Sequence, residues 1–101
     1  KVKEICTNIS YYEFEKYTLS WYKEKNIINS IQIIYSIHKK GYSVMDILDA
    51  YFIFIKITEI LEENTKYKVI KLILKYIATF HTIHESEIEL AFFTNDLIKL
   101  L

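Results

Sequence analysis

The chain has 101 residues, 51% hydrophobic and 16% aromatic, with one glycine and no proline. So much apolar material in a single-domain length excludes a disordered segment, and the scarcity of turn formers excludes a sandwich or barrel of short strands. The 13 basic and 13 acidic residues cancel, and every basic residue is a lysine; without arginine or a basic surplus, the composition argues against direct nucleic-acid binding.

Caps and apolar spacing predict an all-α bundle of five to six helices. Val2, Ile5, Cys6 and Ile9 stand at i, i+3, i+4 and i+7, the spacing of one apolar helix face, and predict a short helix over Val2–Ile9. Ser10 precedes Glu13 by three, a capping-box spacing that opens a helix over Tyr11–Lys25. Asn26 can cap a third helix, Ile27–Lys40, which ends where Lys39 and Lys40 complement the helix dipole and Gly41 can turn left-handed. Ser43 and Asp46 form the next capping arrangement, for a helix running to about Leu61. The polar run from Glu62 to Thr65 predicts a loop, Lys66–Thr82 a further helix, and the Ser86 and Glu89 spacing a last one over Glu87–Leu101. The stretches from Ile47 to Leu61 and from Val69 to Phe80 are apolar nearly all round. A domain this small has few other helices to cover two such elements, so surplus apolar surface is expected to meet a partner protein.

The inventory of reactive groups is thin. One glycine cannot build a phosphate-binding loop, and the serines fall at caps. His81 and His84, with Glu85 and Glu87 nearby, loosely imitate a metal site but lack the paired motifs of specific zinc sites; they and His38 read as helix-end histidines. Glu13 with Glu15 and Glu62 with Glu63 fall at solvated positions, where a general acid or base has no perturbed environment to work from. No catalytic, cofactor-binding or metal-binding residue is expected. The single Cys6 cannot form an internal disulfide and reads as a small apolar residue. The most apolar run, from Ile47 to Ile57, is broken by Asp49 and Lys56 and falls short of the roughly 20 residues a membrane span needs. No signal peptide is expected, and because the chain opens in helical-looking sequence without a methionine it is expected to be one domain of a longer polypeptide.

From Asn26 to Leu101 the chain resembles the C-terminal collar domain of replication factor C small subunits, most like the subunit called 2 in animals. The run Gly41-Tyr42-Ser43-Val44-Met45-Asp46-Ile47-Leu48 looks like that family's G-Y-S-x-x-D-I-[IL] segment. Lys75, Ile77, Ala78 and His81 resemble a K-x-I-G-x-x-H pattern with alanine in place of the glycine, and Leu97, Leu100 and Leu101 resemble the leucine-rich close. Val2-Lys3-Glu4-Ile5 is similar to the V-K-E-[MI] opening, and Asn26-Ile27 to the N-I before the next helix. The resemblance implies a non-catalytic oligomerisation domain, residues 1–101, that packs beside other replication factor C subunits in a hetero-pentamer. It also implies a nuclear protein whose ATP, magnesium, sliding-clamp and DNA contacts lie in an upstream ATPase module. Tyr51, Phe54, Phe92 and Phe93 are the expected interface anchors, since large aromatic groups dominate interfaces; Gly41, Ser43 and Asp46 are expected to be structural caps. The alternatives are a free-standing helical adaptor that holds a peptide in a groove and a small metal-dependent enzyme using His81 and His84.

Overall fold

The computed structural model describes residues 11–80 and 87–100, which form five helices and no strand: α1 (Tyr11–Tyr22), α2 (Ile27–Lys39), α3 (Val44–Ile57), α4 (Glu63–Phe80) and α5 (Ile88–Lys99). The expected helix over Val2–Ile9, Cys6, the Ser10 cap, and His81 and His84 lie outside the described residues. Helices α1 and α2 pack as one hairpin and α3 and α4 as another, while α5 lies against α2 and also touches α1 and α4. The all-α expectation is met.

Each junction around α2 is built from local polar groups. After α1 the amides of Lys23 and Glu24 both donate to the Leu19 carbonyl, and that of Asn26 to the Ser20 carbonyl. Lys25 turns the chain in the left-handed region at φ 53°, so α1 ends three residues before the expected Lys25. The Asn26 side chain caps α2 by accepting from the Asn29 amide at 3.1 Å. Beside it the buried Ser30 hydroxyl lies 2.8 Å from both Ser20 Oγ and the Asn26 carbonyl, binding the start of α2 to the end of α1.

At the other end of α2, Gly41 adopts φ 110°, a conformation side chains resist, and its amide donates to the His38 carbonyl. His38 Nδ1 lies 2.8 Å from the Tyr42 carbonyl; a carbonyl only accepts, so this nitrogen carries the proton. Ser43 then caps α3 by accepting from the Asp46 amide at 3.0 Å. Gly41 thus follows the C-cap Lys40 of α2, Ser43 is the N-cap of α3, and Asp46 contributes its backbone amide.

Two further boundaries differ from expectation by several residues. Helix α3 stops at Ile57 rather than near Leu61, because Thr58 goes extended and its hydroxyl accepts from the Ile60 amide at 3.2 Å. This threonine is buried, and Leu61 turns into the core beyond it. The predicted loop from Glu62 to Thr65 is instead the first turn of α4, which opens at Glu63; an acidic residue there favours the helix dipole. The last helix ends at Lys99 with Leu100 as its C-cap, and Glu87 at its start makes no side-chain cap bond.

Candidate functional site

Three of the four expected interface aromatics are core residues. Tyr51, on α3, is 0% exposed, and Phe54 and Phe93 are buried with it. The signal was present in the spacing. Val44, Ile47, Leu48, Tyr51, Phe54 and Ile55 recur at helical intervals along one side of α3, and Asp46, Asp49 and Lys56 mark the other. Phe92 alone offers contact area, being 51% exposed on the outer side of α5.

Around Tyr51 the core combines ring packing with hydrogen bonds. Its ring stacks on Phe54 at 5.6 Å and meets the edges of Tyr17 and Phe93 at 5.3 and 6.2 Å, the offset and edge contacts that aromatic quadrupoles favour. Its hydroxyl accepts from the Trp21 indole N–H at 2.9 Å and lies 2.7 Å from Thr18 Oγ1. A second bond joins α1 to α5, with the Tyr17 hydroxyl 2.7 Å from Thr94 Oγ1. Thr94 spends its own proton on the Leu90 carbonyl at 2.9 Å, so Tyr17 is the donor. Nearer the surface, the Tyr76 hydroxyl donates to Asp96 at 2.7 Å.

Burial governs the ionisation of these phenols. Desolvation pushes the Tyr17 pKa well above its ordinary value, and the neighbouring Tyr51 adds to the rise. Desolvation likewise raises Tyr51, against the opposing hydrogen bonds from Thr18 and Trp21. Tyr76 is raised by partial burial and by the Asp96 carboxylate it donates to. Phenols held neutral in a packed core with their polar partners satisfied, as Tyr17 and Tyr51 are, serve the structure.

Two depressions on the described surface are open rather than enclosed. One open depression of about 380 Å³ is lined by Tyr11, Glu15, Ile57, Thr58, Glu59 and Ile60. Another, of about 310 Å³, lies between α1 and α2 beside the Lys40–Glu13 ion pair. Among the described residues no three His, Cys, Asp or Glu side chains converge on a common point, and no helix is long and apolar enough to cross a membrane.

What the surface does carry is uncovered apolar side chains at helical spacing: Ile53 and Ile57 on α3, Tyr67 and Leu74 on α4, Ile88 and Phe92 on α5. Of these, only Phe92 was among the expected anchors. The others stand out in the sequence as apolar residues within the polar side of each helix. Compared with protein-family models, with curated proteins and with solved structures, the chain matches none.

Proposed function

We propose that the chain is a non-catalytic assembly domain of the clamp-loader collar kind, whose work is to hold neighbouring subunits side by side. The observation that carries this reading is the apolar surface left over once the core is complete. Tyr51, Trp21, Tyr17 and Thr94 satisfy one another inside, yet Ile53, Ile57, Leu74, Ile88 and Phe92 stay exposed on three helices. Surface apolar groups that recur at helical spacing are what a partner helix covers. Neutral net charge and the absence of arginine are in keeping with contacts to protein rather than to nucleic acid.

The clamp-loader part of the proposal rests on the resemblance of Gly41–Leu48 and Lys75–His81 to replication factor C small subunits. In that reading an ATPase module elsewhere in the polypeptide binds ATP and magnesium. A ring of five such subunits then loads a sliding clamp onto primed DNA in the nucleus, and this domain is its collar. The contact residues are revised to Ile88 and Phe92, in place of the buried Tyr51, Phe54 and Phe93.

Co-expression with replication factor C small subunits tests the proposal. The expected result is a stable complex that Ile88→Ser with Phe92→Ser weakens while leaving the fold intact. A domain that stays monomeric with every such partner overturns it, and capture of a short peptide instead would favour the adaptor.

A further inference from the structure

The exposed sides of α3 and α4 differ in sign. On α3, Asp46, Asp49, Ile53 and Ile57 are exposed at intervals of three, four and four residues, which sets them in one strip. Its far end runs into the depression where Glu15 and Glu59 flank Ile57. The one cation on this helix, Lys56, lies over the Phe52 ring at 5.1 Å. On α4, Tyr67, Lys71, Leu74 and Ala78 are exposed at intervals of four, three and four, with Lys68 and Lys75 beside them. From Lys66 to Phe80 this helix carries no acidic residue, and Lys71 sits over the Tyr67 ring at 5.2 Å. Each strip runs over twelve residues, about 16 Å of helix. On α3 two carboxylates precede two isoleucines, and on α4 Lys71 stands between Tyr67 and Leu74 with Lys68 and Lys75 alongside.

We infer that these two strips dock on one another between copies of this chain, α3 of one copy against α4 of the next. Charge complementarity selects the occupant: the acidic strip repels its own kind and the lysine strip repels its own, so neither forms a symmetric pair, while each fits the other. Used one at a time the strips make a heterologous contact that extends into a ring or an open row, and used together, α3 and α4 of one hairpin against α4 and α3 of another, they close a two-fold pair. One helix against one helix covers less than the roughly 800 Å² per partner of a standard interface. A single contact is therefore weak, and the row is stable only at high protein concentration or when several contacts close a ring. The inference goes beyond the clamp-loader reading, since it needs only this chain.

Sedimentation of the chain at high concentration and low salt tests it with two face-blocked variants. Lys71→Glu with Lys75→Glu spoils the α4 strip; Asp46→Lys with Asp49→Lys spoils the α3 strip; all four side chains are exposed. The wild-type chain is expected to self-associate, and each variant alone to be monomeric. The two mixed should associate again, since the intact strips pair and the two charge-reversed strips are complementary to each other. Association should weaken at least ~10-fold between about 0.01 and 0.15 M salt, over which the Debye length falls from ~30 to ~8 Å. A monomeric wild-type chain, or variants that each still self-associate, overturns the inference. A chain that joins clamp-loader subunits but never itself does so too, while leaving the proposed function standing.

Discussion

On the inward side of α3, Val44, Ile47, Tyr51 and Phe54 are buried, whereas Ile53 and Ile57 on its outward side keep 45% and 61% of their exposure. Ile53 and Ile57 are as apolar as any residue of the inward side, so the apolar character of a single residue does not decide where it lies. The inward side has a partner for every polar atom it brings: the Tyr51 hydroxyl meets Trp21 and Thr18. The outward side has carboxylates that need water, at Asp46 and Asp49, and burying them without cations costs several kcal/mol each. The difference teaches that the inward side is completed by this chain, whereas the outward side can be completed only by a surface that brings its own positive charge.

Alkaline pH should break the inward side most severely. The phenols of Tyr17 and Tyr51 are held neutral by burial, with pKa values raised in the folded state. Their contribution is fully present below the unfolded phenol value of about 10 and is lost as pH rises above it, because only the unfolded chain then releases those protons. Two such groups give a loss of up to about 2.7 kcal/mol per pH unit. Urea unfolding followed by the fluorescence of Trp21, the only tryptophan, measures that slope. Tyr17→Phe should lower it by one proton, and an unchanged slope would show that these phenols are not buried as described.

The next largest effect is Tyr51→Phe, which keeps the ring and removes one oxygen. The Trp21 N–H and the Thr18 hydroxyl lose their partner together, at a cost of about 2–4 kcal/mol for two buried polar groups. Unfolding free energy at neutral pH reads the loss, and a change below about 1 kcal/mol would mean that water reaches the site.

Much of the fold was legible beforehand because helix ends are written in single residues. Asn26, Gly41 and Ser43 each perform locally the cap that their chemistry suggests. The same fact bears on the resemblance: a left-handed glycine, a serine cap, an amide donor at Asp46 and an inward Ile47 are what any tight helix junction needs. What the sequence hid was tertiary. Thr58 ends α3 early because its burial and its bond to Ile60 compete with another helical turn, and Lys25 takes a left-handed turn without a glycine to announce it. Aromatic size suggests an interface role for Tyr51, Phe54 and Phe93, while their register with Ile47 and Leu90 places them in the core. Gly41→Ala sharpens the point, since no atom lies within 4 Å of a Cβ built there. The whole cost is then backbone strain, about 1–2 kcal/mol by denaturant unfolding, and no contact change can excuse a null result.

The smallest effect on stability belongs to the outward side. Ile53→Ser and Ile57→Ser replace half-exposed or more exposed side chains on a helix surface, where substitutions usually fall within ~0.5 kcal/mol and isoleucine and serine have similar helix propensity. The fold therefore loses almost nothing, while any surface that docks on this strip loses its apolar centre. Measured together, unfolding free energy and self-association at low salt separate the two sides of α3. If both variants unfold as the wild type does and no longer associate, the apolar groups outside serve a partner. If they unfold more easily by 2 kcal/mol or so, as buried isoleucines would, then the strip already belongs to the core, and the distinction drawn between the two sides fails.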